Sequence, residues 1–340
     1  MGSIQTPAIL ECTLRDGAYV VDFQFTAEDT HQISRRLDVL GFPLIEVGHG
    51  LGLGATRAGL GKAAATDIGY MAATSRAVLN GKWGMFCIPG IANLEDINIA
   101  ADHGIGFIRV GTEIDQVEAG APFIERALKK NISVYSNLMK SYLASPEQFG
   151  ALARKCYDWG SSIVYLVDSA GGMLPTEIKS YIDAARDSNP EASLGFHGHN
   201  NLGLAVANSL FCAEQGMQVI DTSLQGLGRS AGNTPSSQFL CALMRRGFVV
   251  DYDVIDVMQA GEELVKHLIR NAGYDTLDMT CGLALFHSGH LPKVLAKAKE
   301  HQVDPRRLIL ELCTLDRINA HEELLEKAAC QAKLKSRNVS

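Results

Sequence analysis

A chain of 340 residues can bury a large core, as one large α/β domain or as two smaller ones. Its net charge of −7, with no basic cluster beyond isolated pairs such as Arg306-Arg307, argues against nucleic acid as a partner. No apolar run is long enough to cross a bilayer, and no charged stretch followed by an apolar one opens the chain, so a cytoplasmic protein without a membrane partner is expected. The eight cysteines are scattered, with no C-x-x-C, and read as buried or free thiols.

In chain order, short apolar runs predict strands near 8–12, 43–48, 83–88, 107–111, 132–138, 162–168, 193–198 and 218–223. The clearest are Leu44-Ile45-Glu46-Val47, Ile163-Val164-Tyr165-Leu166-Val167 and Val219-Ile220-Asp221. Helical patterns separate them, such as Thr26 to Leu40, with Thr26 as N-cap and Asp29 three residues on. Eight βα units in about 235 residues is the size of a (β/α)8 TIM barrel. The expected organisation is α/β: a barrel over residues 1–268 and a small C-terminal helical appendage over 269–340. In the appendage Leu291 to Lys299, Arg306 to Thr314 and His321 to Ala332 read as helices.

Reactive residues collect where the predicted strands end. Glu11-Cys12-Thr13-Leu14-Arg15-Asp16-Gly17 offers a carboxylate oxygen at Asp16 and a planar fork of donors at Arg15. Glu46 and His49 follow the second strand, and Asp168-Ser169 the sixth. In His197-Gly198-His199 the two imidazoles point the same way if the segment is extended, and can share a divalent metal. Taken singly, each has a plainer reading: a structural pair of histidines, or an Arg-Asp turn at the surface. Together, a carboxylate, two imidazoles and an arginine suggest a site for a metal-bound, negatively charged substrate. Asn233 could add an amide oxygen, or could simply sit in a tight turn. Gly226-Leu227-Gly228-Arg229-Ser230-Ala231 with Asp251 outlines a dinucleotide fingerprint, but that reading leaves the earlier βα units and both reactive motifs unexplained. His31, His103, His301 and His321 read as solvent-facing helix residues.

Three segments occur in order: Thr13-Leu14-Arg15-Asp16-Gly17, His197 to Ser209, and Gly226 to Asn233. This combination resembles the DRE-TIM metallolyase superfamily, within it the 4-hydroxy-2-oxovalerate aldolases and their less characterised relatives. The resemblance spans roughly residues 8–330. It implies a divalent Mn²⁺, Mg²⁺ or Co²⁺ held by Asp16, His197 and His199, with Asn233 where some members have a further ligand. It also implies that Arg15 stabilises an enolate; Arg15 and Phe286, with Glu46, His49, Asp168 and Ser169 at the expected strand ends, are the residues expected to bind substrate. Three positions depart from the pattern. Tyr19 stands where these aldolases carry a histidine base, Phe286 falls at or near their C-terminal active-site tyrosine, and Thr234-Pro235-Ser236-Ser237 lacks the usual glutamate. The loop 226–233 has no cysteine, unlike the hydroxymethylglutaryl-CoA lyase branch. The isopropylmalate synthase branch carries an extra regulatory domain that this chain lacks.

The expected activity is a metal-dependent carbon–carbon lyase, an aldolase of the 4.1.3 type, acting on a small 2-oxo acid. A phenol ionises near pH 10 and makes a poor base, so the role of Tyr19 in catalysis is open, with His49 and His287 as other candidates. A Claisen-type acyltransferase using an acyl-CoA is the alternative from another class, and a barrel of altered function the third. A homodimer, or a partner dehydrogenase docked through the C-terminal region, is a further expectation.

Overall fold

The computed structural model describes residues 6–269 and 275–337. Strands and helices alternate eight times. The order is β1 (Ala8–Glu11), α1 (Ala27–Val39), β2 (Leu44–Val47), α2 (Asp67–Ala77), β3 (Lys82–Cys87), α3 (Leu94–Asp102), β4 (Phe107–Glu113) and α4 (Ala121–Lys129). It continues through β5 (Ser133–Met139), α5 (Pro146–Asp158), β6 (Ile163–Asp168), α6 (Pro175–Ser188), β7 (Leu194–Gly198), α7 (Ala205–Glu214), β8 (Val219–Thr222) and α8 (Ser236–Arg246). All pairings are parallel, and β8 closes onto β1 with Ala8 opposite Val219 and Leu10 opposite Asp221. The protein is a (β/α)8 barrel, and the eight strands lie within two residues of where the apolar runs put them. Helix α1 begins as its sequence predicts. Thr26 Oγ1 accepts from the Asp29 amide at 3.1 Å, and the Asp29 carboxylate accepts from the Thr26 amide at 2.8 Å.

Because helices cover the outside, both strand faces are buried, and alternation sorts residues between two interiors. Ile9, Ile45, Ile108, Val110, Val164, Leu166, Phe196 and Ile220 face the helices and form the main apolar layer. Leu10, Leu44, Phe107, Tyr135, Tyr165 and Val219 plug the barrel from within. Above this plug the inward positions turn ionic: Glu46, Arg109 and Asp221 are all fully or almost fully buried.

Past the eighth unit, α9 (Val254–Leu264) still packs on the barrel through Val257 and Ala260. Then α10 (Thr276–Ala284), α11 (Leu291–His301), α12 (Pro305–Leu315) and α13 (Glu322–Arg337) surround an apolar cluster of their own, including Val294, Leu308, Leu312, Leu325 and Ala329. The helices foreseen near 291, 306 and 321 are therefore present. They are more than an appendage, because α10 and the turn after it sit on the barrel rim. Asn201 Nδ2 donates to the Asp278 carbonyl at 3.0 Å, and Ser230 Oγ to Asp278 Oδ1 at 2.6 Å. A methyl group at Gly172 would lie 2.2 Å from the Gly282 carbonyl oxygen, so only glycine lets the two backbones meet. Of the four histidines read as solvent-facing, only His321 is. His31, His103 and His301 are half-buried, the first two bonded to the Ala73 and Ile99 carbonyls and the third to Glu326. No helix among the described residues is long and apolar enough to cross a membrane.

Candidate active site

The C-terminal ends of β1 and β7 lie on the same rim, and each ends in a turn that aims side chains over the barrel mouth. Asp16, His197 and His199 place ligand atoms within 4.8 Å of one another, all buried. His197 Nδ1 lies 2.8 Å from Asp221 Oδ2, and His199 Nδ1 lies 3.2 Å from the Gly232 carbonyl. Each ring therefore has its Nδ1 engaged, which fixes its orientation and leaves Nε2 for another partner. Burial, more than anything else, pushes His199 down to about 4, so it is a neutral ring with a lone pair at neutral pH. For Asp16 burial favours the acid, but Arg15 and the two histidines outweigh it and hold the carboxyl well below its usual range.

Asn233 joins this group through the backbone. It forms a β-bridge with His199, and its side chain packs against Gly228, where a methyl group would stand 2.8 Å from Oδ1. Oδ1 is buried and has no hydrogen-bond partner. An orphaned acceptor beside an ionised carboxylate and two imidazoles is a donor set that suits Mn²⁺, Mg²⁺ or Co²⁺. Cys12, His197 and Asp221 also approach within 4.8 Å of one another. That grouping fits a metal less well, because burial keeps the thiol protonated and Asp221 already faces Arg109 at 2.7 Å. The glycine-rich run 226–233 is the turn that carries Asn233 and clamps itself through Asn233 N to Gly226 O at 2.9 Å. It does not open a βαβ nucleotide unit.

Beneath these donors runs a chain of paired charges. Arg15 Nη1 meets Asp16 at 2.6 Å and Arg15 Nε meets Glu46 Oε2 at 2.7 Å. The same Glu46 oxygen takes Arg109 Nη1 at 2.8 Å, and Arg109 Nη2 reaches Asp221. Asn137 Oδ1 accepts from Arg109 Nε at 3.1 Å. The Phe86 ring lies under Arg15 and the Tyr165 ring under Arg109, at 4.9 and 4.3 Å. Three carboxylates against two guanidiniums leave one negative charge, which suits a cation bound above.

A cavity of about 230 Å³ opens over this floor. Of the residues expected at the site, Arg15, Asp16, Tyr19, Ser169, His197 and His199 line it. Five do not: Asn233 lines the second cavity, behind Tyr19, and each of the other four has a physical reason. Glu46 is locked below the surface between two arginines. His49 accepts from the Leu51 amide at Nδ1, faces the Gly61 carbonyl with Nε2 and stacks on Phe23, so neither nitrogen is available as a base. Asp168 turns onto the Gly172 and Met173 amides and shapes the β6–α6 turn. Phe286 points into the apolar cluster of the C-terminal helices, and its neighbour His287 takes the place on the cavity wall.

Arg109, Asp221, Asn137 and Arg229 were not expected as site residues, whereas His287, an alternative candidate for the base, does line the cavity. For the first three the signal is a polar residue at an inward position of an otherwise apolar strand. Arg229 donates its main-chain amide to Asp16 Oδ2 at 3.2 Å, while its guanidinium lies over the Tyr19 ring at 5.0 Å and gives Nε to Ser288 Oγ at 3.2 Å. Tyr19 is pushed up by burial, with Arg229 opposing, and stays a neutral phenol. Behind Tyr19 and Arg229 lies a second cavity of about 700 Å³, bounded by the 226–233 turn, Lys266 and Leu291.

Comparison with known proteins agrees with this architecture. A model of the HMGL-like family matches residues 6–264. Oxaloacetate decarboxylase of Mycobacterium tuberculosis is 36% identical, over 86% of this chain and 87% of its own length. A 4-hydroxy-2-oxovalerate aldolase of Carboxydothermus hydrogenoformans is 33% identical, over 94% of this chain and 96% of its own. In fold the chain is similar to the carboxyl transferase domain of Rhizobium etli pyruvate carboxylase (TM-score 0.77, 15% identity, 98% of this chain and 62% of that one). It is also similar to the HMG-CoA lyase of Brucella melitensis (TM-score 0.65, 20% identity, 76% of this chain and 97% of that one). With the family model spanning most of the chain, this protein belongs to the HMGL-like family.

Proposed function

We propose that this protein is a divalent-metal-dependent lyase that makes or breaks the carbon–carbon bond next to the carbonyl of a 2-oxo acid, through an enolate. The observation that carries the reading is the meeting of Asp16, His197 and His199 at one end of a cavity with Arg15 beside them. A divalent ion held by these residues, with the Asn233 amide oxygen, supplies a Lewis acid for the substrate carbonyl. Arg15 is pinned at Nε and Nη1, so its remaining N–H groups are fixed donors for the oxygen on which charge develops. Ser169 Oγ accepts from the Lys140 amide at 3.0 Å, which leaves its hydroxyl proton for the substrate carboxylate. His287 is held neutral, chiefly by burial and then by Arg229 and Lys140; its Nδ1 takes only a long 3.3 Å contact from the Gly289 amide, which it can exchange for the proton of a departing hydroxyl. The neutral phenol of Tyr19, on the same wall, is placed to donate a hydrogen bond to the substrate. The relatives are lyases named for aldol cleavage and for decarboxylation, two reactions that share this enolate.

A second reading, an acyl-CoA-dependent Claisen condensation, draws on the larger cavity behind Tyr19 and Arg229, which has room for part of a second substrate. The discriminating experiment assays a panel of 2-oxo acids and aldehydes on the Mn²⁺-loaded protein, with and without acyl-CoA. Cleavage without acyl-CoA is expected, and strict dependence on it would favour the second reading. In the same assay Arg15→Lys should keep its metal and lose about 10²-fold in kcat, because the fixed fork is gone. The free cysteines and the absence of a membrane-spanning helix among the described residues fit a cytoplasmic enzyme.

A further inference from the structure

We propose that Arg229 is a specificity-determining residue that binds a second carboxylate, at the far end of the substrate from the 2-oxo group. The inference rests on the lyase reading for the location of the 2-oxo end. It starts from a charge imbalance. Arg15 and Arg109 are each shared between two carboxylates, and Lys140 at the rim meets Glu113 at 3.0 Å. Arg229 has no carboxylate within ion-pair distance among the described residues, yet it lines the same cavity. Arg229 is half-buried, and its guanidinium is held by the Ser288 hydroxyl and the Tyr19 ring. These neighbours fix its position without neutralising it. A guanidinium presented in this way is a two-pronged donor matched to one carboxylate.

Position argues the same way. The main-chain amide of Arg229 touches Asp16, so its side chain leaves the metal-ligand end and runs along the wall toward His287 and Gly289. His287 beside it is neutral and Lys140 is paired, so the wall offers a single positive charge. One fork and one charge suit a carboxylate better than a doubly charged phosphate. The substrate class is thus a dicarboxylic 2-oxo acid, in place of one ending in a methyl group.

The test compares two non-cleavable ligands of equal length on the Mn²⁺-loaded full chain by titration calorimetry: 2-oxoglutarate, with a distal carboxylate, and 2-oxovalerate, with a distal methyl. The dicarboxylate should bind about 10- to 100-fold more tightly. In Arg229→Gln, which keeps the main-chain amide on Asp16, the ratio of the two affinities should collapse toward one. Ser288→Ala, which frees Nε, should reduce the ratio by a smaller factor and serves if the first variant does not fold. Kinetics on 4-hydroxy-2-oxoglutarate and 4-hydroxy-2-oxovalerate should show the same preference in kcat/KM. Equal affinities in the wild type, or a ratio that survives Arg229→Gln, would overturn the proposal. Cleavage of both substrates without preference overturns it and leaves the lyase reading standing. A preference in binding that depends on Arg229, with neither substrate cleaved, supports it while the lyase reading falls. If neither ligand binds the proposal is overturned, and if oxalate also fails to bind the lyase reading falls with it.

Discussion

The floor of the cavity and its outer wall handle charge in opposite ways. On the floor Asp16, Arg15, Glu46, Arg109 and Asp221 form a buried chain in which each charge faces an opposite one. On the wall Arg229 stands half in solvent, with a hydroxyl and an aromatic ring for company. Barrel strands build the floor, so the pleat dictates which side chains enter. The wall comes from two segments far apart in sequence, the turn after β8 and the turn between α10 and α11. Buried charge that is already compensated is held in place, and of the floor arginines only Arg15 lines the cavity and keeps N–H donors for a substrate. Charge left uncompensated beside a cavity is what a substrate can use.

The strongest way to break the floor is at its top. His199→Ala removes one of three close donors and should abolish both bound Mn²⁺ and activity while the barrel stays folded. Elemental analysis and circular dichroism check this, and a stoichiometric metal in the variant would mean that the donor set is wrong. Next in size is Glu46→Ala. One Glu46 oxygen is shared by two buried guanidiniums, so its loss strands two cations in a dry interior. Removing one partner of a buried pair costs about 3–5 kcal/mol, and chemical denaturation should show a loss of that order. A loss under about 1 kcal/mol would mean that water enters the floor and the chain is not dry.

Which of these features could be read from the sequence follows from what fixes each one. Strand positions came out within two residues because parallel barrel strands are short apolar runs between helices, a local signal. Asp16, His197 and His199 could be brought together from the sequence because each lies at or shortly after the C-terminal end of a strand, and those ends share a rim. Glu46 was found as a polar residue but misplaced: its inward position was readable, its depth below the cavity was not, since that depends on Arg15 and Arg109 closing over it. Asp168 and His49 were misread for a related reason. A polar side chain after a strand can satisfy its own turn as readily as face a ligand, and the backbone amides that claim these two appear only once the turns are formed. Arg229 and His287 come together only after α10 seats on the rim, and no local pattern encodes that docking.

Glu11 provides a control on the floor. It also lies at the end of β1, but it faces the outer helices, where Thr13 and Ser236 bond it and no arginine reaches it. Burial therefore dominates and lifts its carboxyl from 4.5 to about 7, whereas arginine outweighs burial at Asp16 and Asp221. The folded state then holds the Glu11 proton more tightly than the unfolded chain does. Its contribution is full below about pH 4.5 and is lost as the pH rises toward 7. At about 1.4 kcal/mol per pH unit, the rise from 4.5 to about 7 corresponds to about 3 kcal/mol. Thermal unfolding of wild type and Glu11→Gln from pH 4.5 to 7.5 isolates the effect, because all other groups are common to both. The wild type should lose stability relative to the variant across that range. A pH-independent difference would show that Glu11 ionises at its ordinary value and that water reaches it.

The smallest expected effect is on the wall, and it decides what Tyr19 does. Burial raises the phenol above 10, so less than about one molecule in a thousand is ionised at pH 7. A group in that state donates a hydrogen bond and cannot serve as the principal base. Tyr19→Phe removes only the hydroxyl beside Arg229 and keeps the ring under the guanidinium and against Phe23. The expected loss is about tenfold in kcat/KM, the scale of one hydrogen bond, with the shape of the pH–rate profile unchanged. His287→Ala, by contrast, should remove the limb of that profile that rises as the imidazole loses its proton. A loss of 10³-fold or more in Tyr19→Phe, with that limb gone, would make Tyr19 the base after all. The uncompensated charge of Arg229 would then act by lowering the phenol, and the wall would be catalytic where the contrast with the floor makes it selective.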